Sequence, residues 1–252
     1  MELDKIYLGD AYELIKGIPD KSIDCIITDP PYEFSGNKKW FGKADKYMNG
    51  GARGVADLVN DENLTQGIRT EMLDEWCRVM KQINIFIFCN KWQMFDYLKY
   101  FQKDRGCNFE ILVWAKTNPM PLANNSYVHD KEFCLNFWEK GAKRGKCTGF
   151  DLLKTVYNLP INQKDKREFE HQTCKPLAMV ENLVEIGTQE GGVILDTFMG
   201  SGTTAVACVN KNRHYLGFEV SERWWGVAND RLKGISQYDK RDNQGYSQTF
   251  LF

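Results

Sequence analysis

Between Glu71 and Gly234 the chain alternates apolar runs of strand length with segments of helical periodicity, and this alternation most narrows the folds open to it. EMLDEWCRVMK reads as a helix, INIFIFC as a strand, KWQMFDYLKYFQ as a helix, and FEILVWAK and EFCLNFW as strands. Further on, KPLAMVENLVEIGTQ (helix), GGVILD (strand), TTAVACVNKN (helix), HYLGFE (strand) and SERWWGVANDRLKG (helix) continue the series. Upstream lie a short strand, KIYLGD, a helical stretch from Ala11 to Ile18, and a buried strand in SIDCIITDPPY that Pro30 and Pro31 stop. Such a pattern predicts an α/β fold, a mostly parallel sheet with helices on both faces. Two stretches interrupt it: residues 33–70, a long Gly-, Lys- and Asn-rich loop, and residues 139–170, with Gly141, Gly145 and Gly149.

A composition of 42% hydrophobic and 27% charged residues excludes a disordered or collagen-like chain. No run approaches the ~20 apolar residues of a membrane span. Charges in MELDKIYLGD stand where a secretory signal needs an apolar block, so an intracellular, cytoplasmic protein is expected. The eight cysteines are at least twelve positions apart and the three histidines are scattered, which predicts reduced core thiols and no metal site. The net charge of -1 conceals a segregation. Residues 35–54 hold Lys38, Lys39, Lys43, Lys46 and Arg53 against Asp45. Residues 140–167 hold eight basic residues, including Lys140, Lys143, Arg144 and Lys146, against two acids. Basic blocks on an acidic body suit a polyanion-binding groove, the alternative being two solvated loops.

In GGVILDTFMGSGTTAVAC, Asp196 ends a strand and Gly200, Gly202 and Ala205 form a tight turn into a helix. Without Cβ atoms the two glycines allow a sharp fold and close approach to a ligand. About seventeen residues after Gly202 a second strand ends in Glu219, whose carboxylate can accept from two ribose hydroxyls. Read literally, this is a dinucleotide fingerprint, and an NAD-dependent dehydrogenase is one reading. Against it, Asp196 would repel a pyrophosphate but suit a cationic amino-acid moiety, and Thr203 and Thr204 add hydroxyls at the helix start. S-adenosylmethionine, a ribose joined to a zwitterionic amino acid, fits that chemistry better.

The second motif is Asp29-Pro30-Pro31-Tyr32 at a strand end. Diproline fixes two φ angles and removes two backbone donors, leaving carbonyls and a carboxylate to accept hydrogen bonds. The amino group of a nucleobase needs such acceptors before its delocalised lone pair can act as a nucleophile. Tyr32 could stack on the base, a contact worth ~1–3 kcal/mol. Alone, the tetrapeptide could equally be an Asp-Pro turn with a core tyrosine.

Taken together, the motifs resemble those of the β-group amino methyltransferases of DNA, most of all the small adenine-N6 enzymes of restriction-modification. Further matches are LGD (Leu8 to Asp10), VWAKTNPMP with YVHDKEF, HQTCKP (His171 to Pro176) and YLGFE, with DPPY preceding the glycine loop as in that permuted family. The resemblance implies a Rossmann-like methyltransferase fold with a seven-stranded sheet, S-adenosylmethionine as donor and a flipped adenine in double-stranded DNA as acceptor. It implies a catalytic pocket of Asp29, Pro30, Pro31 and Tyr32. Asp196, Phe198, Gly200, Ser201, Gly202, Thr203 and Thr204 would surround the methionine part of the donor and Glu219 its ribose. Asp10 would meet the adenine amino group of the donor, unless it only caps a helix, while His171, Thr173 and Lys175 would reach the donor carboxylate. Glu132 and Trp114 match family positions too, with strand packing as their alternative role. Thr197 departs from a usual proline, Gln172 from a frequent proline and Glu33 from a frequent asparagine.

The expected organisation is a catalytic half (1–138), a target-recognition insertion (139–170), a cofactor-binding half (171–235) and a tail (236–252). DNA would be gripped between loop 33–70 and the insertion. A second copy of the chain and a cognate restriction endonuclease are candidate partners. Cytosine N4 is the alternative acceptor.

Overall fold

The computed structural model describes residues 1–32, 67–119, 127–146, 149–161 and 174–234. Its centre is one eight-stranded sheet in the order β1-β8-β7-β2-β3-β5-β4-β6. The strands are β1 (Lys5–Leu8), β2 (Cys25–Thr28), β3 (Asn84–Cys89), β4 (Asn108–Lys116), β5 (Lys131–Trp138), β6 (Val156–Leu159), β7 (Val193–Asp196) and β8 (His214–Glu219). All pairings are parallel except those of β5, which runs antiparallel to both β3 and β4. Every residue of β2 and β3 is buried, as the unbroken apolar runs CIIT and IFIFC require of strands covered on both faces.

The expected seven strands become eight. Val156–Leu159, inside the segment read as an insertion, pairs in parallel with Val113–Lys116 and forms the sheet's edge. The half-exposed alternation of VYNL is too short and too polar to announce a strand without its neighbour.

Six α-helices flank the sheet among the described residues: α1 (Ala11–Leu14), α2 (Thr70–Val79), α3 (Gln93–Tyr97, continuing as a π-helix to Lys103), α4 (Leu177–Gly187), α5 (Thr203–Asn210) and α6 (Glu222–Leu232). On α2 the buried residues Met72, Leu73, Trp76 and Val79 form one stripe, packed with Ile15, Ile26, Ile85 and Phe101 on one face of the sheet. On the other face Met179, Val180, Leu183 and Val184 of α4 pack with Ala207 and Cys208 of α5 and Ala228 of α6. Seven described cysteines are free thiols, six of them buried. Among the described residues no helix is long and apolar enough to cross a membrane.

Candidate functional site

Neighbouring strands β2 and β7 send their chains in opposite directions. After β7 the chain enters α5 on one face, whereas the next described helix after β2, α2, lies on the other. A crevice opens at the carboxyl ends of two strands where the chain divides in this way. Both sequence motifs stand at that point. Thr28, the last residue of β2, donates its hydroxyl to Asp196 Oδ1 at 2.9 Å, joining the residue before Asp29 to the first residue of the glycine loop. Asp10, Asp29, Asp196 and Glu219 therefore share one edge of the sheet.

Asp29 follows β2 and is held from the side by Lys175, which precedes α4. Lys175 Nζ also lies 3.3 Å from Glu132 Oε2, and Glu132 Oε1 pairs with Lys116 at 2.7 Å. Four alternating charges thus run along the carboxyl edge, and the lysine between the two acids is 8% exposed. Burial pushes the Asp29 carboxyl above its ordinary range, an effect that Lys175 opposes and the Glu132 charge reinforces. Burial likewise acts on Glu132, but Lys175 and Lys116 outweigh it and bring the carboxyl down to about 2. For Lys175, burial favours the neutral amine, yet Asp29 and Glu132 overcome it and hold the ammonium charged. Three buried atoms in this corner, Asp29 Oδ1, Tyr32 Oη and Glu132 Oε2, have no hydrogen bond of ordinary geometry, Oε2 keeping only its longer charge contact with Lys175 and the Tyr32 phenol interacting weakly with the Asp29 carboxyl. Burial, followed by the charges of Asp29 and Glu132, keeps the Tyr32 phenol protonated.

Gln93 and Thr197, to which the sequence assigned no role, brace this corner. Gln93, 3% exposed at the start of α3, donates from Nε2 to the Pro31 carbonyl at 2.9 Å. Thr197 stands where the related family usually has proline, and its hydroxyl accepts the indole N–H of fully buried Trp76 at 3.2 Å. A proline there would leave that N–H without its acceptor. Of the two family positions with an alternative role, Glu132 belongs to the charge row, while Trp114 donates to the Leu159 carbonyl at 2.9 Å and ties β4 to β6.

The glycine loop is internally bonded. Asp196 accepts from Thr28, from Thr204 Oγ1 at 2.6 Å and from the Phe198 N–H at 3.0 Å. Burial raises its carboxyl to about 6 despite those three donors. Arg231 Nη1 donates to Thr203 Oγ1 at 2.9 Å and to the Ser201 carbonyl at 3.3 Å, and Ser201 Oγ lies 2.9 Å from Cys174 Sγ. Glu219 accepts the Gly200 and Ser221 N–H groups, both at 2.8 Å, which fixes the loop against the end of β8. Gly200 has φ +54° and Gly202 φ +81°, so the turn does use glycine's freedom. A Cβ on Gly202 would meet Ala228 Cβ at 3.0 Å, so this glycine serves the contact between α5 and α6. Asp10 caps α1, its Oδ1 accepting from the Tyr12 N–H at 2.7 Å.

One group of expected site residues is elsewhere. Lys140, Lys143, Arg144 and Lys146, expected to grip DNA, follow β5, which starts at the site edge with Glu132 and ends at Trp138 opposite Asn84, the first residue of β3. The Glu139 N–H bonds the Ile83 carbonyl and the Gly145 N–H that of Ile186, so this turn packs at the amino edge of the sheet, its start about 17 Å along the strands from the level of Asp29. Arg144 is tied to β5: Nη2 donates to Asn136 Oδ1 at 2.5 Å and the guanidinium lies 4.4 Å from the Trp138 ring centroid. Lys38, Lys39, Lys43, Lys46, Arg53, His171 and Thr173 lie outside the described residues, as do the tail after Gly234 and most of loop 33–70.

A DNA methylase family model covering N6 and N4 amino methyltransferases matches residues 23–230. Type II methyltransferase M2.MboI of Moraxella bovis is 26% identical over 248 residues, spanning 94% of this chain and 90% of that protein. Type II methyltransferase M.HinfI of Haemophilus influenzae is 27% identical over 254 residues, spanning 92% and 69%. Among solved structures, the M1.HpyAVI–SAM complex has a TM-score of 0.63 at 27% identity and covers 90% of this chain and 98% of its own. The cytosine-N4-specific PvuII DNA methyltransferase, at 15% identity and a TM-score of 0.64 (94% and 90% covered), shares the fold.

Proposed function

Because the chain belongs to the N6/N4 DNA methylase family, its model match covering residues 23–230, we propose that it methylates the N6 amino group of an adenine flipped out of duplex DNA. The observation that carries this reading is the buried, unpartnered Asp29 Oδ1, set beside the glycine loop through the Thr28–Asp196 bond. Bound S-adenosylmethionine supplies a methyl group on a cationic sulfur, whose S–C bond breaks as the new N–C bond forms.

The residues present fit that donor. The loop from Asp196 to Thr204 at the start of α5, with Glu219 one strand away, offers both a cradle and a ribose acceptor. Ser201, Thr203, Thr204 and Asp196 shape the cradle through their mutual bonds, with Phe198 in its wall. Glu219 has lone pairs beyond the two used on backbone N–H groups, and in this reading they accept from the ribose. The second oxygen of Asp10 then meets the donor's adenine amino group.

For the acceptor, Asp29 Oδ1 and the Pro30 carbonyl take the two hydrogens of the target amine, since the Pro31 carbonyl is engaged by Gln93. Hydrogen bonds from both hydrogens turn the nitrogen toward tetrahedral geometry and free its lone pair, and after transfer the cationic product amine loses one of those protons to solvent. Tyr32 stacks on the flipped base, and unstacking from the duplex costs a few kcal/mol, offset by these contacts. No covalent enzyme intermediate is needed, and the main contribution of the protein is position.

The test is product analysis. Duplex DNA incubated with the protein and isotope-labelled S-adenosylmethionine is digested to nucleosides and separated by mass spectrometry. The expected product is labelled N6-methyladenine. Labelled N4-methylcytosine would overturn the base assignment, and no labelled base would overturn the reading. Sequencing the modified positions gives the target context, and sedimentation with and without DNA tests whether the chain pairs with a second copy of itself.

A further inference from the structure

The charge row along the carboxyl edge extends past the residues that the proposed chemistry uses. Lys175 Nζ has three protons and two acidic neighbours, Asp29 Oδ2 and Glu132 Oε2. Lys116, at the end of β4, anchors the far oxygen of Glu132. The four side chains span β2, β3, β5 and β4, and all are at most a quarter exposed. Lys175 is enclosed further by the rings of Phe88 and Tyr32, 5.0 and 5.8 Å from Nζ. Buried charges are retained only where they are compensated, and this row is compensated link by link.

Taking the methyl-transfer reading as its premise, we propose that Glu132, anchored by Lys116, is a positioning residue that acts through Lys175 to hold the Asp29 carboxylate with one oxygen, Oδ1, left for the substrate amine. The geometry gives the reason. If Lys175 had Asp29 as its sole acidic partner, its ammonium could donate to both carboxylate oxygens and compete with the substrate. Glu132 draws part of that cation sideways toward β5. It also shares the positive charge, so Asp29 remains a strong acceptor. Without Glu132, Asp29 would face an undivided cation and accept hydrogen bonds less well.

The same arrangement fixes the sign of a pH effect. Charged and titratable groups facing Asp29 are Lys175 before α4, Glu132 and Cys134 on β5, Cys89 on β3, Tyr97 on α3, Asp196 on β7 and Tyr32 on its own turn. The negative charge of Glu132 raises the Asp29 pKa, and Lys175 lowers it. Glu132→Gln removes the raising influence, so the acidic limb of the kcat–pH profile moves to lower pH. Lys116→Met leaves Glu132 charged with Lys175 as its one remaining cationic neighbour in the row, so its negative charge bears more fully on Asp29 and the limb moves to higher pH.

The experiment measures kcat and KM against pH for the wild type, Glu132→Gln, Glu132→Asp and Lys116→Met, with duplex DNA and labelled S-adenosylmethionine. The expected result for Glu132→Gln is a kcat roughly 10- to 100-fold lower, with KM for DNA little changed. The limbs of Glu132→Gln and Lys116→Met shift in opposite directions, and Glu132→Asp, which keeps the charge, restores the wild-type limb. A merely structural pair would lower thermal stability in both variants and leave both limbs in place, which overturns the proposal. If Glu132→Gln does not fold, Lys116→Met against Glu132→Asp decides on the same criterion. Failure of the premise looks different, because the wild type itself would then transfer no methyl group to DNA.

Discussion

Replacing Gly202 with alanine separates two roles for the glycine loop, packing of helices and approach to the donor. The residue sits at φ +81° and ψ 18°, immediately before α5. Left-handed backbone costs a non-glycine residue roughly 1–2 kcal/mol. The added methyl would stand 3.0 Å from Ala228 Cβ and 3.1 Å from its Cα, tight enough that the neighbour must give by a few tenths of an ångström. One of these atoms is backbone, so relief requires α6 to shift, at a cost of about 1–3 kcal/mol. A combined loss of about 3 kcal/mol follows, and at about 2–4 °C per kcal/mol for a chain of this size the Tm falls by roughly 6–12 °C. Thermal unfolding followed by circular dichroism reads this directly. Because the methyl is directed at α6, affinity for S-adenosylmethionine, measured by calorimetry well below both transitions, should change by less than about 1 kcal/mol. A Tm within about 2 °C of wild type would refute the packing argument. An intact Tm with donor binding lost would show that Gly202 faces the donor, as the sequence suggests.

Asp29→Asn should keep donor affinity while reducing methyl transfer by roughly 100-fold or more, read by single-turnover transfer of labelled methyl. Normal turnover in that variant would remove Asp29 from the chemistry. Thr197→Val strands the buried indole N–H of Trp76 and should cost about 1–3 kcal/mol in denaturant unfolding. Adding Trp76→Phe removes that donor, so the double variant should lose less than the two single losses together; strict additivity would mean that the bond contributes nothing. Reversing Lys140, Lys143 and Lys146 together to glutamate should leave the salt dependence of DNA binding unchanged, because these residues lie at the amino edge of the sheet. A slope reduced by about one per residue would place DNA on that edge instead.

What could be read from the chain is what local chemistry encodes. The DPPY turn and the Gly200–Gly202 loop each depend on residues adjacent in sequence, since proline and glycine set backbone geometry without help from elsewhere. The central strands were legible for a similar reason, their unbroken apolar runs having no other stable place than a covered sheet. Partners distant in sequence were not legible. Thr28 and Asp196 are 168 positions apart, and nothing in either segment says that one hydroxyl bonds the other carboxylate. Nor does the sequence disclose that Lys175 sits between Asp29 and Glu132, because many lysines could have met those acids and only the strand order β2-β3-β5-β4 brings these ones together.

The misplacement of the basic cluster has a more specific cause. FEILVWAK and EFCLNFW follow one another with a polar loop and no helix between them, so the strand–helix alternation leaves the direction of β5 open, and a parallel β5 would deliver the residues after Trp138 to the carboxyl edge, beside Asp29. In the structure β5 is antiparallel, so its first residues, Lys131 and Glu132, stand at the site, and the chain leaves it before reaching Lys140. An apolar run is equally apolar read in either direction, so its periodicity fixes which faces are covered but not which end meets the site. One reversal of direction thus both brings Glu132 into the charge row and carries the lysines away from it. The row holding Asp29 and the absence of the 140–146 cations from that edge have a common origin in the direction of a single strand.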